Sequence, residues 1–172
     1  VGRTIGVHAL ASVGSTGSII FLILGFANGL TAGLAIPLAQ RYGAKNYSGV
    51  KRSFYVSILI SAVVAILLTI LSMIFCRQIL EIMQTPVEII DGAYDYLMVI
   101  FAGIFSSMAF NLLSNIFRSI GDAKTPLYFL VIACIMNIIL DVVFIAGFGM
   151  GVEGAGYATV LSQIFSALAC IL

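Results

Sequence analysis

Charge is confined to a few short patches along this chain. No Asp, Glu, Lys or Arg occurs between Arg3 and Arg41, between Arg52 and Arg77, between Asp95 and Arg118, or after Glu153. About 20 apolar residues suffice to cross a bilayer. The pattern therefore predicts five spanning segments, near 12–39, 53–75, 96–117, 126–147 and 155–172. None shows the strict alternation of a lipid-embedded strand, and a backbone in hydrocarbon must satisfy its own hydrogen bonds, so all five read as α-helices.

Composition strengthens this picture. The chain is 62% hydrophobic and 9% charged, with a mean hydropathy of +1.18, whereas soluble domains carry roughly 25% charged residues. The expected class is an all-α polytopic membrane protein whose surroundings are the lipid bilayer. No cofactor and no nucleic-acid partner are expected. Cys76, Cys134 and Cys170 are three, an odd number without metal-ligand or disulfide spacing. The chain starts at Val1 and stops at Leu172 inside an apolar run, so it reads as an internal fragment that inserts without a cleavable signal.

The connections carry the orientation. Arg41, Lys45, Lys51 and Arg52 in one loop, and Arg118 and Lys124 in another, mark the cytoplasmic side. Glu81, Glu88, Asp91 and Asp95 mark the outside, with Tyr94 and Tyr96 as interfacial rings and Ile79–Met83 as a short helix lying in the outer interface before Pro86.

Against this background Asp141 stands out as a carboxylate inside an apolar stretch. A charge near the bilayer centre costs roughly 2.5 to 3.5 kcal/mol on insertion scales and persists where protein, water or a cation compensates it. Starting from Pro126, Asp141 lies ~22 Å across a core of ~30 Å. Asn137 precedes it by one turn on the same face. If the chain reverses near Met150, Thr159 returns at the depth of Asp141 and Gln163 at that of Asn137. Carboxylate, amide and hydroxyl oxygens are hard ligands that suit sodium, and a carboxylate can instead take a proton. A snorkelling acid or a hydrogen-bonded helix clamp is the plainer alternative.

Other features have mainly structural readings. Asn111 and Asn115 share a face and suit either interhelical bonding or substrate contact. Gly25, Gly29 and Gly33 form two G-x-x-x-G steps that invite a close helix neighbour, and Pro37 predicts a kink. Gly149, Gly151 and Gly154 spell a nucleotide-binding pattern but lack the strand it requires. His8 reads as an ordinary loop residue, and Asp122 as a turn or cap before Pro126.

Three stretches, GLTAGLAIPLAQRYGAKN, FRSIGDAKTP and NIILDVVFIAGFGMGVEGAGYATVLSQ, occur in an order that resembles the multidrug and toxic compound extrusion (MATE) transporters. The resemblance implies that the five segments are helices two to six of a twelve-helix protein, with helix one and the carboxy-terminal lobe of the same chain lying elsewhere. It implies that Asn137, Asp141 and Thr159 belong to a proton or sodium site, and that Tyr96 and Asn111 face the substrate pocket, where the geometry above also sets Gln163. It implies a multi-pass bacterial cell-membrane protein that exports drugs or small organic cations by antiport. A lipid-linked oligosaccharide or lipid flippase of related fold is the alternative, since fold alone does not decide substrate. An intramembrane enzyme would need a second carboxylate, and a passive channel would favour a ring of charges.

Overall fold

The computed structural model describes residues 7–170, with side chains from Gly14 onward. Six α-helices follow one another: α1 (Val7–Gly43), α2 (Tyr47–Ile82), α3 (Val87–Ala102), α4 (Ile104–Ser119), α5 (Lys124–Val142) and α6 (Val152–Ala169). A π-helical turn, Val143–Gly147, extends α5. The chain is thus an all-α, multi-pass membrane protein.

The helices overrun the charge-free segments because the charged residues ride on helix ends rather than in loops. Arg41 lies in the last turn of α1, while Lys51, Arg52, Arg77 and Glu81 all fall inside α2. Long side chains reach the headgroups from a helix that continues past the hydrocarbon. At 1.5 Å per residue the 36 residues of α2 run ~54 Å against a core of ~30 Å. The stretch expected as a separate interfacial helix, Ile79–Met83, is accordingly the end of α2, and Leu80 there is fully buried. His8 falls within the backbone of α1, not a loop, and its side chain lies outside the described residues.

The third predicted segment is two helices. α3 starts at Val87 and meets α4 at Gly103 with a bend of 45°. This start leaves Tyr94 and Tyr96 about two turns inside α3 rather than at its outer end, and Tyr94 packs against the main core cluster. No proline causes the bend; glycine, the least costly residue for a local departure from helix geometry, occupies it. With α3 and α4 taken as one broken span, the helices match the five predicted segments in order.

Helix ends are closed by local chemistry. At the ends of α1, α2 and α4 the same crossed pair of backbone bonds recurs, as in Thr85 N to Leu80 O and Gln84 N to Glu81 O. The residue at the crossover takes a left-handed conformation: Lys45 (φ 56), Gln84 (φ 54) and Gly121 (φ 94). Asn46 caps α2 by accepting the Gly49 amide at 2.9 Å. The expected capping role of Asp122 is seen directly, its Oδ1 accepting the amides of Lys124 at 3.1 Å and Thr125 at 3.0 Å.

Packing inverts the soluble pattern. The buried stripe of α2 is Ser53, Ser57, Ser61, Ala65, Ser72 and Cys76, while Leu59, Leu67 and Ile74 face outward. Lipid is as apolar as leucine, so small residues that let axes approach are what helix contacts favour. Hydroxyls bind across the contacts, Ser57 to the Leu34 carbonyl (3.1 Å) and Thr69 to the Phe101 carbonyl (3.3 Å). α1, α2, α3 and α4 form the packed body around Ala27, Leu97, Phe101 and Met108, and α6 lies against α3 and α4. α5 docks mainly on α6, and most of its surface is exposed among the described residues. Gly25, Gly29 and Gly33, expected to take a close neighbour, meet nothing within 4 Å among the described residues. Pro37 is accommodated within a continuous α1.

Candidate functional site

α6 is the element that gathers the polar groups. Thr159 and Gln163 stand one turn apart on it, so their side chains emerge on one face. Small residues bring this helix close to its neighbours: a methyl group at Gly156 would come within 2.9 Å of Val99 Cγ1 on α3. Gly156 also lies beside the Tyr96 ring, which thereby faces α6.

Asn137 Nδ2 donates to Thr159 Oγ1 at 3.4 Å, and the Thr159 hydroxyl donates to the Ala155 carbonyl of its own helix at 2.9 Å. Asp141, one turn beyond Asn137, is half-buried, and its Oδ1 is buried without a hydrogen-bond partner among the described residues. Its carboxylate lies within electrostatic range of Tyr96. Leaving a buried carboxylate oxygen unpaired is costly, so this atom is the member of the group that most needs a compensating partner.

Thr159, expected at the depth of Asp141, makes its bond across the helices to Asn137, one turn away on α5. The π-helical turn Val143–Gly147 adds one residue on the α5 side of the reversal, with Phe148 N bonding to Val143 O at 3.0 Å, and so supplies part of this offset. Gln163, in turn, does not pair with Asn137. Its Oε1 accepts the Ser107 hydroxyl of α4.

Asn111 is tied to the same place by a 2.8 Å bond from its amide to the Ser107 carbonyl. A polar strip thus runs from Asp141 and Asn137 on α5, through Thr159 and Gln163 on α6, to Ser107 and Asn111 on α4. Ser107 is the member that sequence reasoning missed; the signal was its position one turn before Asn111 on a face that already held an amide. Asn115 is separate. It donates to Thr31 Oγ1 on α1 at 3.4 Å, a packing bond rather than part of the strip.

The strip holds hard oxygen atoms and a single carboxylate. No cluster of three or more His, Cys, Asp or Glu suited to a metal occurs among the described residues. A cavity of about 600 Å³ between the outer ends of α1 and α2, lined by Ile19, Leu22 and Phe75, contains none of the strip residues.

A family model described as MatE matches residues 1–143. The chain is 34% identical over 168 residues to the probable multidrug resistance protein YoeA of Bacillus subtilis, covering 95% of this chain and 36% of that protein. It is 26% identical over 164 residues to an FAD transporter of Shewanella oneidensis, covering 93% of this chain and 36% of that protein. Its structure superposes with a TM-score of 0.92 and 31% identity on a crystal structure of a MATE protein in the bent conformation, covering 96% of this chain and 37% of that one. The chain therefore spans little more than a third of the length of these proteins.

Proposed function

The chain belongs to the multidrug and toxic compound extrusion family, and on that premise we propose that it supplies the second to sixth helices of a secondary active efflux transporter in the cell membrane. Members of this family are transporters rather than enzymes. In this reading the complete protein exports amphipathic or cationic compounds in exchange for protons or sodium, with helix one and the carboxy-terminal lobe contributed by the rest of the chain.

The observation that carries the reading is the buried, unpartnered Oδ1 of Asp141 beside the Asn137–Thr159 bond. The coupling ion is cargo here, and the donor set suits either candidate. A proton would neutralise the carboxylate outright. Sodium would draw on the carboxylate oxygen, the Asn137 amide oxygen and the Thr159 hydroxyl. Either ion changes the helix arrangement only through a difference in affinity between two states, so Asp141 acts as the group through which a gradient biases that equilibrium. Tyr96, Asn111 and Gln163 line the substrate side of the same strip.

Among the described residues every Lys and Arg lies at a helix end or in a connection. That distribution favours a cationic cargo over an anionic one. The FAD-transporting relative supports a second reading, in which the exported compound is anionic and the remaining helices provide its countercharge.

Efflux of a fluorescent cationic dye from cells carrying the full-length transporter tests the proposal, with imposed proton or sodium gradients and Asp141→Asn in parallel. Gradient-driven efflux that Asp141→Asn abolishes, at unchanged membrane content, supports it. Efflux at the normal rate in Asp141→Asn removes this carboxylate from coupling.

A further inference from the structure

The first acidic residue of the chain is Glu81, at the far end of α2 from the α1–α2 hairpin. That hairpin carries Arg41, Lys45, Lys51 and Arg52, and no acidic residue occurs in α1, in the connection or in α2 before Glu81. The only ion pair among the described residues is Arg77 with Glu81, at the outer end of α2.

Two of these cations are organised rather than scattered. Arg41 and Arg52 together line two adjoining cavities between α1 and α2, of about 480 Å³ and about 400 Å³. Arg41 is held in place, its Nη1 donating to the Gly49 carbonyl at 2.9 Å. Arg52 makes no hydrogen bond or ion pair with any described residue, so its full set of donors is available. The cavity nearer the membrane surface is polar, closed by Asn46, Ser48 and Gly49 at the start of α2. The cavity beyond the two guanidinium groups is walled by Leu34, Pro37, Val56 and Ile60, with Ser53 and Ser57 between them, and runs along α1 and α2 away from the hairpin. Val56 and Ile60 are themselves exposed on the surface of this bundle.

A cationic mouth at the cytoplasmic interface, continued by an apolar wall along the acyl region, matches one class of molecule. We propose that Arg41 and Arg52 bind the phosphate of an anionic phospholipid of the cytoplasmic leaflet, with an acyl chain lying along Leu34, Pro37, Val56 and Ile60. Two guanidinium groups present paired donors that fit phosphate oxygens better than ammonium groups do. The positive end of the α2 dipole adds to the attraction. Basic pockets between spanning helices on the cytoplasmic side are a recurrent means of holding such headgroups.

The test uses the full-length transporter in detergent, titrated with phosphatidylglycerol or phosphatidylcholine, with retained lipids counted by native mass spectrometry. Preferential retention of phosphatidylglycerol by roughly fivefold per interacting charge is expected. Arg52→Gln, which breaks no internal bond, should bring phosphatidylglycerol down towards the phosphatidylcholine level, while Lys124→Gln on the other cytoplasmic connection leaves the preference intact. Equal retention of the two lipids, or an unchanged preference in Arg52→Gln, overturns the assignment. Displacement of phosphatidylglycerol by millimolar inorganic phosphate also overturns it, by making the ligand a soluble anion. The readout involves no transport and so stands apart from the efflux reading.

Discussion

Gly103 receives the side chain of Val160 so closely that no methyl group fits between α4 and α6 at the point where α3 gives way to α4. The bend of the broken span and the seating of α6 therefore depend on one missing Cβ. Gly103→Ala should cost about 1 to 3 kcal/mol through overpacking, despite the better helix propensity of alanine. Thermal unfolding of the full-length transporter measures this. Val160→Ala in the same chain should restore most of the loss, and equal destabilisation with and without Val160 would show that the contact is not the cause.

A second prediction concerns the same break. The Thr69 hydroxyl donates to the Phe101 carbonyl, two residues before Gly103. Thr69→Val keeps the shape and removes the donor, and should destabilise by about 0.6 kcal/mol, the average for such bonds in membranes, and by no more than about 1.7 kcal/mol. A change near zero in thermal unfolding would mean that the carbonyl is satisfied without threonine.

At Gln84 a non-glycine residue occupies a left-handed position with φ 54. That conformation costs an ordinary side chain roughly 1 to 2 kcal/mol relative to glycine. Gln84→Gly should therefore raise the stability of the transporter, and a lowered unfolding temperature would contradict the argument.

Asp122 gives a prediction in pH. Hydrogen bonds from Thr125, its side chain first and its amide next, hold this carboxyl below its ordinary range, with smaller help from Lys124. A group whose folded value is depressed adds stability above its unfolded value, and that contribution disappears as pH falls through the folded value. Asp122→Ala should lower the unfolding temperature slightly at neutral pH and have no effect in acid below the carboxylate range. Because the Asp122 carboxyl is open to water although the residue is partly buried, the difference should be small throughout. A gap between the two proteins that persists in acid would trace the effect to something other than the carboxylate.

For the polar strip, Thr159→Val removes the hydroxyl that Asn137 reaches. If the pair helps hold the coupling ion, dye efflux should fall and require a steeper imposed gradient. Ser107→Ala, which removes the bond to Gln163, should act on substrate range while leaving the gradient requirement unchanged. Identical effects of the two substitutions would show that the strip does not divide into ion and substrate portions.

These predictions rest on features that differ in how plainly the chain announces them. Spans are legible because charges such as Arg41, Arg52 and Arg118 mark the interfaces, and membrane helices have little freedom to be anything else. Asn137 and Asp141 sharing a face follows from spacing alone. The bend at Gly103 was hidden because Ala102-Gly103-Ile104 sits in an unbroken apolar run, and only the approach of Val160 gives that glycine its meaning. The bond from Asn137 to Thr159 was not legible because the exact register across the reversal depends on the local geometry of the turn, including a π-helical stretch, Val143–Gly147, that reads like any apolar helix end. Ser107 was missed because serine is common in membrane helices and its role depends on Gln163, 56 residues away.

The buried serines of α2 bear on how such a chain is made. A helix whose backbone is satisfied within itself, and whose bulky side chains already suit lipid, is a finished object when it leaves the translocation machinery. Nothing on α2 must wait for α4 or α6 to hide it. Biogenesis thus separates into insertion, governed by the large outward residues such as Leu59 and Ile74, and later assembly, governed by the recessed row from Ser53 to Cys76. A substitution in the first set is a lesion of delivery to the membrane, whereas one in the second lets the protein arrive intact and fail only in finding its neighbours.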